Sequence, residues 1–205
     1  MTTHPALSAY VDELVETLAG AVELKAAYLI GSAARGAYEH GRSDLDVYAV
    51  VGTALSAREK EQLIERVGEL RCPARALELV IYSSAEASSQ SPRFELNLNL
   101  GKEEVAGAEE SPHWFVLDRA IAESHGVSLV GPPWSDVFAP VSRDDVLQAI
   151  EQSLDWQERF DPLGRSALLN ACRAWKWLEE GDWVSKPEAA DWLRGKVRTA
   201  LADAR

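Results

Sequence analysis

The pattern of hydrophobic and polar positions differs between the two halves of the chain. Before residue 101, short apolar runs of strand length alternate with stripes of helical period. The runs predict strands at 25–30, 44–51, 77–82 and 93–100, and the stripes predict helices at 6–19 and 56–70. From residue 112 onward the pattern indicates helices alone, at 112–125, 142–159, 165–180 and 186–203.

This change of pattern predicts two domains. Residues 102–110 are mostly charged or small, as is typical of a linker. We therefore expect a domain of strands and helices over 1–108 and a helical domain over 109–205. The chain has 205 residues and 46% hydrophobic content, which is enough to fill a sizeable core.

The main chemical signal lies between the first two predicted strands. Gly31 and Ser32 follow the first strand, and Ser43, Asp44 and Asp46 open the second. Because side chains alternate along a strand, the two aspartates point the same way, and Mg²⁺ would relieve the repulsion between them. The turn offers backbone N–H groups and a hydroxyl to a triphosphate, near the start of a short helix. The alternative is a solvated turn, but two like charges beside an apolar strand are costly without a cation.

A third carboxylate interrupts the next apolar strand. Glu78 is flanked by apolar residues on a strand that can lie beside the Asp44 and Asp46 strand. There it can serve as a metal ligand or as the general base for an incoming hydroxyl. The alternative is an exposed charge at a sheet edge. Glu95 competes for the same role, since it also interrupts an apolar pattern.

Composition narrows the class of partner. A formal charge of −12 argues against nucleic acid and is compatible with a cationic substrate steered by an acidic surface. Cys72 and Cys172 lie far apart without a metal-binding spacing, so we expect reduced thiols rather than a zinc site or a disulfide. The sequence shows no signal peptide and no apolar run of about 18 residues, so we expect a cytoplasmic protein with no membrane partner.

The motifs together resemble those of a known family. The Gly-Ser turn, the Ser-Asp-Leu-Asp segment at 43–46 and Glu78 look like the nucleotidyltransferase superfamily built on the polymerase-β-like fold. The segments 117–156 and 169–192 are similar to the streptomycin/spectinomycin adenylyltransferases, the aminoglycoside 3''-type enzymes. The resemblance implies an α+β fold, with a mixed sheet and helices in a nucleotidyltransferase domain over 1–108. An all-helical substrate-binding domain over 109–205 would follow.

The resemblance also implies roles for the residues of the motif. The residues similar to those that hold ATP and its phosphates are Gly31, Ser32 and Ser43. Asp44 and Asp46 resemble the ligands of two Mg²⁺ ions, and Glu78 resembles the base that takes a proton from a substrate hydroxyl. That oxygen would attack the α-phosphorus of ATP in line, with pyrophosphate leaving.

Further roles are implied in the helical domain. In the relatives, the segment that contains Trp183, Glu188 and Asp191 contacts drug hydroxyls and cationic groups, which suit aromatic faces and carboxylates. Glu188 and Asp191 also stand in the first turn of a predicted helix, where the helix dipole alone favours acids. Lys186 and Arg194 are candidates for triphosphate contacts, with a solvated helix surface as the alternative.

Three functions are compatible with these features. The first is an ATP- and Mg²⁺-dependent adenylyltransferase that acts on a hydroxyl of an aminoglycoside-like molecule, as in antibiotic resistance. The second keeps this chemistry with another acceptor, because the strand at 94–101 differs from the tryptophan-bearing segment of the drug-modifying enzymes. The third is a partner-binding module of a toxin–antitoxin type system. The protein is expected to be a monomer or a homodimer.

Overall fold

The structure is a computed structural model that describes residues 5–101, 112–162 and 164–204. In chain order its elements are α1 (Pro5–Ala19), β1 (Leu24–Ile30), α2 (Gly31–Ala34), β2 (Leu45–Val51), α3 (Ala57–Glu69), β3 (Leu77–Ser83), α4 (Ser84–Ala87), β4 (Leu96–Leu100), α5 (His113–His125), β5 (Val127–Val130), α6 (Arg143–Phe160), α7 (Arg165–Glu180) and α8 (Lys186–Asp203). The predicted fold class, a mixed sheet with helices followed by a helical part, is confirmed.

The five described strands form one mixed sheet in the order β4-β3-β2-β1-β5. Strands β2 and β3 are parallel, and every other pair is antiparallel. The four predicted strands are present, although β4 begins three residues later than its hydrophobic pattern indicated. The sequence pattern did not predict β5, so the expectation of helices alone after residue 112 is wrong there. This strand has only four residues and stands at the sheet edge, where a short half-buried run gives no clear period.

One face of the sheet is covered by two helices. The apolar stripe of α1 and the buried side of α3 pack on this face, and α3 begins with the predicted capping box between Ser56 and Glu59. Leu45, Val47 and Leu79 are fully buried on the strands beneath. Alternation along β2 and β3 therefore directs their even-numbered side chains to the opposite face, which includes both Asp46 and Glu78.

An aromatic cluster covers part of this opposite face. It consists of Tyr28, Tyr48 and Tyr82 on the strands, with Trp134 and Phe138 from the segment after β5. The Trp134 and Phe138 rings are stacked with centroids 4.0 Å apart, and Phe138 meets Tyr82 edge-on at 5.5 Å. The cluster buries this part of the sheet face, next to the positions of Asp46 and Glu78.

Burial shifts the ionisation of the phenols in this fold. The pKa is raised for all five tyrosines, chiefly because burial disfavours the phenolate. The pKa of Tyr28 is raised to about 12, and burial moves that of Tyr48 well above its ordinary value. A raised acid pKa stabilises the fold below the ordinary value near 10, and this contribution is lost as the pH rises further.

We therefore expect the tyrosines to ionise together with alkaline unfolding. Absorbance at 295 nm should show little phenolate formation while far-ultraviolet circular dichroism remains native. Both signals should then change in one cooperative step above pH 10. A gradual titration centred near pH 10 with unchanged circular dichroism would contradict the burial of these phenols.

The described residues form two compact units. One contains 5–101 together with 118–141, and the other contains 112–117 together with 142–162 and 164–204. The predicted domain boundary at 108/109 and the linker at 102–110 lie outside the described residues, so both stay predictions. Of the helices described, none is both long and apolar enough to span a membrane.

Candidate active site

The pairing of β2 with β3 brings two of the predicted carboxylates together. Asp46 and Glu78 are register partners in this parallel pair, so their side chains project from the same face of the sheet. Neighbouring strands in a sheet are about 4.8 Å apart. Glu78 is in turn opposite Asn99 on β4, and Asp46 is opposite Ile30 at the end of β1. A polar row therefore crosses three strands at one end of the sheet, as expected if β3 lies beside β2.

The turn after β1 lies directly against the Asp46 carboxylate. Gly31 has φ +64°, a left-handed conformation that side chains disfavour. A Cβ atom at this position would stand only 1.9 Å from Asp46 Oδ2 and 2.9 Å from its Cγ. Glycine is therefore required twice over, for the backbone conformation and for the close approach. The Gly-Ser turn therefore packs directly against Asp46 of β2.

The two serines of the motif belong to the segments next to Gly31 and β2. Ser32 follows Gly31 within α2, which is a single turn of four residues. The Ser43 hydroxyl accepts a hydrogen bond from the Glu39 backbone N–H at 3.0 Å, and the Ser43 N–H donates to the Glu39 carbonyl at 2.8 Å. Ser43 therefore closes the loop that precedes β2. The phosphate contacts of both serines stay predictions.

Asp44 has a partner that the sequence did not indicate. Its two carboxylate oxygens accept hydrogen bonds from Nε and Nη2 of Arg75, both at 2.9 Å. This is a bidentate ion pair, and the Arg75 side chain is 61% exposed while that of Asp44 is 19% exposed. Because water screens the exposed guanidinium, the contribution of the pair to stability is on the order of 1 kcal/mol. A divalent cation can therefore compete for Asp44.

The competing carboxylate, Glu95, is engaged elsewhere. Its Oε2 accepts a hydrogen bond from the Leu55 N–H at 3.3 Å and lies 3.6 Å from Lys60 Nζ. These contacts hold Glu95 at the start of α3. Glu78 is therefore the carboxylate whose backbone register places it beside Asp46.

Comparisons with known proteins identify relatives of this chain. Residues 136–204 match the family described as aminoglycoside adenylyltransferase, C-terminal domain. The chain is 27% identical over 190 residues to an aminoglycoside (3'') (9) adenylyltransferase of Klebsiella pneumoniae, covering 85% of this chain and 72% of that protein. It is 28% identical over 193 residues to a spectinomycin 9-adenylyltransferase of Staphylococcus aureus, covering 86% and 74%. The resemblance to the aminoglycoside adenylyltransferases is confirmed.

The fold of this chain is also found in a solved structure. The spectinomycin adenyltransferase AAD(9) from Enterococcus faecialis, solved with ATP and spectinomycin, superposes with a TM-score of 0.68 at 18% identity. The match covers 93% of this chain and 82% of the other. The prediction that the chain is a nucleotidyltransferase is confirmed by its named relatives.

The carboxylates of this adenylyltransferase-like site fit a magnesium ion. Asp44 and Asp46 offer hard oxygen ligands, and a guanidinium cation already sits on one of them. Within the described residues, no group of three or more histidine, cysteine or acidic side chains is arranged to hold a metal ion. The binding of Mg²⁺ by Asp44 and Asp46, with the other ligands drawn from phosphate oxygens and water, stays a prediction.

The predicted residues of the helical unit lie within the matched C-terminal domain. Trp183 is buried and stacks on Trp177 with ring centroids 5.3 Å apart. Glu188 closes a capping box at the start of α8, where its Oε2 accepts from the Ser185 N–H at 2.8 Å. This cap is a structural reason for an acid at that position, beyond the helix dipole.

The other predicted residues of α8 lie on its exposed surface or at its start. Asp191 accepts a hydrogen bond from Arg194 at 2.7 Å, and both side chains are largely exposed. Lys186 is the first residue of the helix. Asp191, which is predicted to contact the acceptor, is thus paired with Arg194, which is predicted to contact the triphosphate. The binding roles of Trp183, Glu188, Asp191, Lys186 and Arg194 stay predictions.

Proposed function

We propose that this chain is a Mg²⁺-dependent adenylyltransferase that moves AMP from ATP to a hydroxyl of a cationic, aminoglycoside-like molecule and releases pyrophosphate. The observation that carries the proposal is the register of Asp46 with Glu78, together with the packing of the Gly31 turn against Asp46. A metal-ligating carboxylate and a proton acceptor then stand side by side. Nucleotide transfer to a hydroxyl needs this pair.

Each residue of the site has a part in this reaction. Asp44 and Asp46 would hold Mg²⁺, which neutralises charge on the α-phosphate and on the departing pyrophosphate. The backbone of the Gly31 turn and the hydroxyls of Ser32 and Ser43 would hold the other phosphates. Glu78 accepts the proton of the acceptor hydroxyl. The acceptor oxygen then bonds to the α-phosphorus, while the bond between the α-phosphorus and the bridging oxygen breaks and pyrophosphate leaves.

The acceptor is proposed from charge and from the relatives. A net charge of −12 attracts polycationic molecules and speeds their encounter with the protein. The relatives are named for aminoglycosides and for spectinomycin, which carry amino groups and hydroxyls. Trp183, Glu188 and Asp191 are the proposed contacts for such an acceptor, with Lys186 and Arg194 for the triphosphate.

An acceptor outside this drug class is the second candidate. The specific observation that favours it is the segment at 94–101, which differs from the tryptophan-bearing segment of the drug-modifying enzymes. It contains β4, where Asn99 pairs with Glu78. A different side chain next to the proposed base would suit a different acceptor hydroxyl.

A pyrophosphate-release assay tests the proposal. Purified protein with Mg·ATP is screened against streptomycin, spectinomycin and other aminoglycosides, and products are examined by mass spectrometry for one added AMP. We expect release with at least one acceptor and none from Asp46→Asn, which keeps the shape of the side chain but loses its charge. Mg·ATP binding without release on any of them would favour the second candidate. Absence of Mg·ATP binding would overturn the proposal.

A further inference from the structure

Arg75 is anchored next to Asp44 by the backbone of the two parallel strands. Its N–H donates to the Ser43 carbonyl at 3.1 Å, and the Leu45 N–H donates to the Ala76 carbonyl at 2.8 Å. These two bonds continue the hydrogen-bonding pattern between β2 and β3 to the residues that precede both strands, including Asp44 and Arg75. The backbone of Arg75 therefore fixes its side chain next to Asp44. The guanidinium can leave Asp44 by movement of the side chain alone.

Arg75 and a divalent cation compete for the same carboxylate. The guanidinium takes one lone pair on each oxygen of Asp44. A magnesium ion bound to either oxygen would lie within a few ångströms of this positive group, and the two cations would repel each other. The Arg75 side chain is 61% exposed, so its guanidinium can move into solvent without leaving a buried position. Metal binding at Asp44 is then linked to departure of the guanidinium.

The released guanidinium has a natural partner in the same place. A nucleotide bound with the metal brings several phosphate oxygens to the mouth of the site. Guanidinium groups bind phosphate through two parallel hydrogen bonds, and arginine suits this planar geometry better than lysine. We propose that Arg75 changes partners during the cycle: it pairs with Asp44 before the divalent cation binds, and with the nucleotide phosphates afterwards. This inference rests on the proposed function.

Two binding measurements on Arg75→Gln test the exchange. Free Mn²⁺ is counted by electron paramagnetic resonance without nucleotide, and binding of α,β-methylene-ATP at saturating Mn²⁺ is measured by calorimetry. Without the competitor, the Kd for Mn²⁺ should fall about 3- to 10-fold, in keeping with the small strength of an exposed ion pair. Without the phosphate contact, the Kd for the nucleotide should rise about 10-fold. Opposite signs of the two effects are the signature of the exchange.

Two further variants make the result specific. Arg75→Lys keeps the charge but loses the bidentate fork, so it should shift both constants in the same directions as Arg75→Gln but less far, with tighter Mn²⁺ binding and weaker nucleotide binding than wild type. Arg71→Gln removes the same charge from an exposed neighbour on the same segment and should change neither Kd appreciably. If Arg75→Gln fails to fold, Arg75→Lys supplies both measurements.

Each other outcome has a distinct meaning. Weaker binding of both Mn²⁺ and nucleotide in Arg75→Gln would show that Arg75 only holds Asp44 in place, which overturns the exchange. Unchanged binding of both would also overturn it. If the wild-type protein binds neither Mn²⁺ nor nucleotide, the proposed function itself fails. Binding by wild type without the opposite shifts removes only the role of Arg75.

Discussion

Replacing Gly31 with alanine is expected to lower kcat/KM for nucleotide transfer at least about 100-fold, because misplacing a reacting group by about 1 Å has an effect of this size. The added Cβ would lie 1.9 Å from Asp46 Oδ2, so either the carboxylate or the turn must move. The left-handed φ of +64° adds about 1–2 kcal/mol of backbone strain. Steady-state kinetics and denaturant unfolding measure the two effects separately.

Gly36 provides a matched control for this substitution. Its φ is +68°, so alanine there meets the same backbone strain, but no atom lies within 4 Å of the added Cβ. We expect Gly36→Ala to lose about 1–2 kcal/mol of unfolding free energy while kcat/KM stays close to wild type. If Gly31→Ala behaved like Gly36→Ala in kinetics, the close packing of the turn on Asp46 would have no part in transfer.

Much of the fold could be predicted because its signals are local. The helices α6, α7 and α8 begin and end within one residue of the predicted limits. The capping box of α3 could be recognised from two residues three positions apart. The strand β5 could not be predicted from the sequence, since four residues are too few to show a period.

The site was predicted less completely because it depends on pairing between distant segments. The motif indicated that Asp46 and Glu78 act together, but an apolar pattern does not specify that β2 and β3 pair in parallel. Arg75 gave no signal, since an ion pair across two strands has no local spacing. For Glu188 the spacing from Ser185 did carry information, namely a helix cap.

Replacing Glu78 with glutamine is expected to slow kcat by about 10²–10⁴-fold, the usual effect of losing a general base. The amide keeps the size of the carboxylate but accepts no proton from the acceptor hydroxyl. Binding of α,β-methylene-ATP with Mg²⁺ should change little, because Asp44 and Asp46 are the proposed metal ligands. Single-turnover kinetics and calorimetry measure chemistry and binding separately.

Glu95→Gln is the matched control for the proposed base, since it makes the same chemical change one strand away. Glu95 contacts the Leu55 N–H and Lys60, so the substitution should reduce stability slightly while kcat stays near wild type. A wild-type rate in Glu78→Gln together with a slow Glu95→Gln would transfer the role of base to Glu95. Slow chemistry in Glu78→Gln alone, with nucleotide still bound, would assign proton transfer to the side chain that β3 places beside Asp46.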